Sequence, residues 1–204
     1  MKIPAILALA GLMALAQPSF AQTMAAKQPM VKLSGVIAAV NSNEVDVTST
    51  DGSKVAVTLG PKARIALSMP IAIDQIKPGS FIGAGAQADG KGGNNAVEIT
   101  VFPESARGLG EGFRKWDQGP NSTMTNGTVS QVVGTSNRTL TVTYKGGQQQ
   151  VTVSPGTPLT TFAVADKTAL AIGAHVVVRG FKTADGSVTA GFITVGKDGF
   201  VPAG

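Results

Sequence analysis

Ala96–Val101, AVEITV, returns later in the chain as Ala190–Val195, AGFITV. Both copies keep the pattern Ala-x-x-Ile-Thr-Val, and a short run rich in β-branched residues reads as a β-strand. Moving outward from this pair, the same order of matches recurs on both sides. Ser34-Gly35-Val36-Ile37 corresponds to Asn126-Gly127-Thr128-Val129, and Val45-Asp46-Val47-Thr48 to Leu140-Thr141-Val142-Thr143. Gly52 then meets Gly147, Val55-Ala56-Val57 meets Val151-Thr152-Val153, and Ile76-Lys77-Pro78-Gly79 meets Leu170-Ala171-Ile172-Gly173. One match of this kind would carry little weight, whereas an ordered series argues for a duplicated unit.

Within the first unit, alternation predicts strands near Val31–Ala38, Glu44–Thr48, Lys54–Leu59, Ser80–Gly85 and Ala96–Phe102. Asp51-Gly52 between two alternating segments is a hairpin signal. The stretch Lys62–Ile76 reads as an irregular link with a short helical turn before Lys77-Pro78-Gly79. The expected fold class is therefore all-β, as two tandem small five-stranded OB-like or SH3-like barrels joined by an ordered connector. The expected boundaries are 1–21 signal peptide, 22–29 flexible N-terminus, 30–102 first barrel, 103–125 connector, 126–196 second barrel and 197–204 tail. A single β-sandwich built from both halves is the alternative.

The first residues speak to compartment. Lys2, the apolar run Ile3–Ala16 and the small-x-small site Ser19-Phe20-Ala21 have the layout of a cleavable secretory signal. A periplasmic or secreted location follows, and with no Cys in the chain neither a lipoprotein anchor, a disulfide nor a thiolate metal site is expected. No later segment reaches the roughly 20 apolar residues of a spanning helix, so no membrane span is expected. The net charge of +5, of which Lys2 contributes one, is spread thinly. It does not cluster into a nucleic-acid footprint, and nucleic acid is not an expected partner.

The segment Pro103–Thr125, PESARGLGEGFRKWDQGPNSTMT, is chemically unlike either half. It holds the only Trp of the chain, Trp116, beside Phe113, Arg114, Lys115 and Asp117, preceded by Arg107, Glu111 and the glycines 108, 110 and 112. A flexible spacer has no use for a large ring flanked by cations. These seven residues, Arg107, Glu111, Phe113, Arg114, Lys115, Trp116 and Asp117, are the candidate interaction site. Trp116 and Phe113 are expected to dock in the cleft between the barrels, with the cations paired to nearby acids; the competing reading is a recognition loop. The repeated barrel pattern resembles the tandem OB-like β-barrel domains of unknown function in uncharacterised exported bacterial proteins. The connector Arg107-Gly108-x-Gly110-Glu111-Gly112-x-x-x-Trp116-Asp117, followed by Ser122–Asn126, is similar to the segment joining two such domains. The resemblance implies the fold and an exported location, and no activity.

Other residues are better explained structurally. His175 is the only histidine, stands where the first half has Phe81, and has no nucleophile elbow to accompany it. Asp51, Asp89, Asp185 and Asp198 all precede Gly, which is turn chemistry. Glu104 and Glu111 suit pairing with Arg107, Arg114 or Lys115. Gly108-x-Gly110-x-Gly112 lacks the Lys-Ser/Thr ending of a phosphate loop. Phe81, Tyr144, Phe181 and Phe192 are scattered rings without a basic groove. No cofactor and no metal are expected. The functional expectation is a non-enzymatic exported binding or assembly module with an unknown periplasmic protein or glycan as partner; the alternatives are a hydrolase acting on cell-wall or extracellular polymer, or a structural envelope protein.

Overall fold

The structure is a computed structural model, and it describes residues 29–90, 93–116, 118–134 and 138–203. The expected signal peptide (1–21), the expected flexible segment 22–28 and Asp117 lie outside the described residues. Regular structure is all-β apart from short 3-10 turns. The strands are β1 (Met30–Val40), β2 (Glu44–Ser49), β3 (Lys54–Pro70), β4 (Phe81–Ala88), β5 (Asn94–Val101) and β6 (Gly112–Lys115). They continue with β7 (Ser122–Val133), β8 (Arg138–Tyr144), β9 (Gly147–Val153), β10 (Leu159–Ala165), β11 (His175–Lys182) and β12 (Val188–Gly196).

At the positions matched in sequence, particular hydrogen bonds and ladder slips recur. Gly79 N–H donates to Val129 O and Gly173 N–H donates to Ile37 O, each at 2.8 Å. The β1–β2 ladder slips between Ile37 and Ala39, and the β7–β8 ladder slips at the equivalent place, between Val129 and Gln131. Phe81 pairs with Thr128 and His175 with Val36, so the two rings are true counterparts. By the same registers Gly85 of β4, opposite Glu98, corresponds to Arg179 of β11, opposite Phe192.

What differs from expectation is which strands close on which. The closed five-stranded barrel runs β12-β11-β1-β2-β3 and back to β12, so three strands come from the first half and two from the second. The other two strands of the first half, β4 and β5, pair with each other, and β4 pairs on its free side with β7 of the second half, which continues into β8 and β9. In this second group β5 touches β9 at one pair, Asn95 and Thr152. The expected arrangement of 30–102 and 126–196 as barrels each closing on itself is thus not what the pairing shows: the halves exchange their last two strands, as in a domain swap within one chain.

The cores divide the same way. One collects Ile37, Val45, Val47 and Val57 with Val176, Val178, Ile193 and Val195. The other collects Ile82, Ala84 and Ile99 with Val129, Leu140, Val142 and Val151. Burying such side chains is worth roughly 25 cal/mol per Å² of apolar surface, so each core holds its exchanged strands in place.

The stretch Lys62–Pro70 is a second correction. It is not irregular but continues β3, and only Ile73–Gln75 forms the expected helical turn. Along β12, the partner of β3 jumps from Leu59 to Arg64, which leaves Gly60 and Pro61 in a bulge where a missing N–H does no harm. Beyond it, residues 65–70 pair with β10 rather than β2 on one edge, while 64–68 keep β12 on the other and Ile65 and Leu67 stay in the first core.

Candidate functional site

The connector is ordered, as expected. After β5 the chain makes a 3-10 turn at Glu104–Ala106, then turns through Gly108, Gly110 and Gly112, whose φ values are +83°, +61° and +131°. Only glycine adopts such angles readily, which accounts for the spaced glycines without a ligand. Strand β6 then pairs antiparallel with β7, from Gly112 opposite Asn126 to Lys115 opposite Thr123. Because β4 occupies the other side of the same β7 residues, the connector forms the third strand of a small sheet over the exchange.

The described candidate residues, all but Asp117, have definite places. Arg107 donates from Nε to Glu104 Oε1 at 2.5 Å and from Nη2 to Gly79 O at 3.0 Å, with its guanidinium 5.9 Å from the Phe81 ring centroid. The bidentate bond between them lowers the pKa of Glu104, an exposed group, and raises that of Arg107. Phe81 is edge-on to Phe102 at 5.4 Å, and Phe102 edge-on to half-buried Phe162 of β10 at 5.3 Å, a chain of rings linking β4 to β10 beneath Arg107.

Glu111 does not pair with Arg114 or Lys115. Its Oε1 accepts from the Lys145 backbone N–H at 3.0 Å, pinning the connector to the β8–β9 turn. Arg114 donates to Gly110 O at 2.9 Å. Among the described residues, neither Arg114 nor Lys115 forms an ion pair with a carboxylate, and the only such pair is Arg107 with Glu104. Asp117, the acid nearest to them in sequence, lies outside the described residues.

Phe113 and Trp116, expected together in one cleft, part company. Phe113 stacks on Tyr144, the last residue of β8, with ring centroids 6.4 Å apart and an 18° tilt, and stays 46% exposed. Trp116 turns the other way and packs on β4. A Cβ placed on Gly85 would lie 2.5 Å from Trp116 Cζ3 and 3.1 Å from Glu98 Cγ, so the indole and Glu98 share the space a side chain would have filled. The backbone holds the ring there: Trp116 N–H donates to Ser122 O at 3.0 Å and Ser122 Oγ–H donates back to Trp116 O at 2.9 Å.

Sequence reasoning missed three residues here. Glu98 is half-buried, and burial raises its carboxyl above the ordinary value while the Arg179 and Lys32 charges oppose the rise. Arg179 and Lys32 face each other across the β1–β11 ladder of the closed barrel, so their field crosses from one core group to the other. Asn126 is buried, donates to Leu109 O at 3.0 Å to hold the connector, and leaves its own Oδ1 without a partner. Gly85 completes the set. The signal was available in the repeat, since Gly85 and Glu98 stand where the otherwise similar β11 and β12 carry Arg179 and Phe192.

The remaining candidates have structural places. Asp51 accepts from Ser53 N–H and Oγ, and Asp185 accepts from the Thr183 and Ser187 hydroxyls and the Ser187 N–H. These bonds stabilise the charged form, lowering Asp51 and taking Asp185 down to about 2. Asp89 Oδ1 accepts from Gly93 N–H at 2.9 Å, and Asp198 sits at φ +50° inside the last 3-10 turn. His175 lines a shallow depression of about 280 Å³ with Val36, Val177 and Pro202. Among the described residues no group of three or more His, Cys, Asp or Glu is arranged to hold a metal, and no helix is long and apolar enough to cross a membrane.

Searches against protein-family models, curated proteins and solved structures found no match to this chain.

Proposed function

We propose that the protein is a non-enzymatic, exported binding or assembly module that meets its partner through the connector. The observation that supports this reading is the division of labour within β6 and its neighbours. Trp116 faces inward as a clasp, while Phe113, Arg114 and Lys115 are presented outward on a strand held by the Asn126, Glu111 and Arg107 contacts. Aromatic and cationic groups on a pre-ordered element lose little entropy on binding and are enriched where partners dock. Export is supported by the leader-like residues 1–21 of the sequence.

A photoreactive phenylalanine analogue at Phe113, crosslinked in intact cells, tests this. An adduct specific to that position, absent when the same analogue replaces exposed Val164 on β10, supports the reading. Equal labelling from both positions, or none from either, rejects it.

One observation favours a hydrolase instead: a carboxyl whose pKa is raised by burial beside an indole is poised as a general acid. Turnover of peptidoglycan fragments that disappears in Glu98→Gln would establish that alternative.

A further inference from the structure

The pairing of β6 leaves a specific part of its backbone unused. Antiparallel partners alternate between residues that exchange both backbone hydrogen bonds and residues that exchange none. Trp116 N–H donates to Ser122 O, and the register places Lys115 opposite Thr123, so residues 112, 114 and 116 turn their backbone groups toward β7. Phe113 and Lys115 therefore turn their N–H and C=O groups the other way. Among the described residues no strand lies on that side of β6. Among the described residues these four groups have no strand partner, and they form a strip of donors and acceptors on a strand whose conformation is already set.

The surroundings select the occupant. Arg114 and Lys115 on β6 and Lys145 at the adjoining turn are exposed, while Glu111, the carboxylate among residues 111–116, is engaged with the Lys145 N–H. A second copy of this chain added edge to edge, antiparallel, would bring the two Arg114–Lys115 pairs together around the new ladder, and like charges so placed are destabilising. Residues 22–28 of the chain itself, QTMAAKQ, carry no acid and one Lys. An acidic strand meets none of these objections, and the Phe113–Tyr144 stack lies beside the strip to receive one apolar side chain.

We propose that the outer edge of β6 takes an extended, acidic segment of a partner protein as an added β-strand, bonded to the backbone of Phe113 and Lys115. The proposal rests on the binding reading above and supplies the chemistry of the partner. In strand addition the main chain provides affinity and alternate side chains provide specificity. Here the specificity is charge, so the contact weakens as salt rises.

The full-length mature protein is titrated with three synthetic peptides of about eight residues, the length of a short strand. One alternates Glu with Val, one alternates Lys with Val, and one repeats the Glu peptide with alternate backbone nitrogens methylated. The Glu peptide is expected to bind, shifting the amide resonances of Phe113 and Lys115, and the other two are expected to bind at least about tenfold more weakly. The double reversal R114E/K115E, on exposed side chains, is expected to exchange the preference to the Lys peptide. Equal binding of the methylated Glu peptide would mean charge attraction without an added strand and would overturn the proposal. So would equal binding of the Lys peptide, binding by neither plain peptide, or self-association through β6 in sedimentation. If the Phe113 crosslink succeeds while the peptides fail, the binding reading stands and strand addition falls; if both fail, both fall.

Discussion

The chain leaves β5 and β12 alike and then behaves differently. After each strand comes a 3-10 turn, Glu104–Ala106 in one case and Lys197–Gly199 in the other, lying over equivalent sheets. The tail folds back at once. At Gly196 an added Cβ would overlap the Phe200 carbonyl oxygen, and Pro202 is buried near His175 while Val201 stays exposed. The connector runs on, covers Phe81 with Arg107 and Phe102, adds a strand, and places Trp116 on Gly85. Where the connector gives β4 a fitted cover, the tail leaves β11 a shallow hollow. The same scaffold thus accepts either a plug or a platform, and the sheet changes to suit: Gly85 leaves room for a ring where its counterpart Arg179 fills its own space.

Trp116→Ala should break this comparison most severely. Removing a half-buried indole is expected to cost about 2–3 kcal/mol, below the range for fully buried aromatics. Truncation after Gly199, which removes half-buried Phe200 and buried Pro202 but no indole, should cost less, about 1–2 kcal/mol. Thermal unfolding of both variants checks the claim, and equal losses would show that the two covers do the same work.

Gly85→Ala sharpens it. The new methyl would sit 2.5 Å from Trp116 Cζ3, so the ring must move, at a cost of about 1–3 kcal/mol. Trp emission should shift to the red, whereas Arg179→Ala at the counterpart position should leave it unchanged. Unshifted emission in Gly85→Ala would contradict the packing described.

A smaller effect is expected at Asn126→Ala, which deletes the bond to Leu109 O. The loss should be about 1 kcal/mol, since the variant also removes a buried Oδ1 that has no partner. Hydrogen exchange should quicken at residues 112–115. Ser34→Ala, at the matching position of β1, should leave those amides unchanged.

The smallest effect is the pH response of Glu98. Its pKa is raised in the folded state, so the folded protein binds more protons than the unfolded one between the ordinary Glu value of 4.5 and the raised value. Stability therefore falls as pH rises through that window, the reverse of an ordinary salt-bridged carboxylate. Glu98→Gln should flatten this slope in urea titrations at several pH values, while its counterpart Phe192 has no proton to lose. An unchanged slope would mean that burial does not govern this carboxyl.

How much of this was legible in the sequence depends on the range of the contact concerned. The β character, the Asp-Gly turns and the strand within the connector all follow from local chemistry: alternation, Gly at positive φ, and a Trp no spacer needs. Phe81 and His175 were matched correctly because each is defined by neighbours close in sequence. The parting of Phe113 and Trp116 was not legible, since which way each ring turns depends on Tyr144 and Gly85, far away along the chain. Glu98 escaped for the same reason, its burial being set by the indole and its field by Arg179 and Lys32.

The sequence by itself determined what each strand is, and tertiary structure alone decided whose partner it becomes. The likeness of β1 and β7 is the physical reason. Because Gly35 and Gly127 offer the same close approach to a neighbouring carbonyl, and Ile37 and Val129 the same inner face, β1 and β7 present equivalent edges to both β4 and β11. Local pairing energies are then nearly degenerate between self-closure and exchange. The choice falls to how β3 continues past its bulge at Gly60 and Pro61 to pair with β10, a contact between residues about a hundred positions apart that no local pattern encodes.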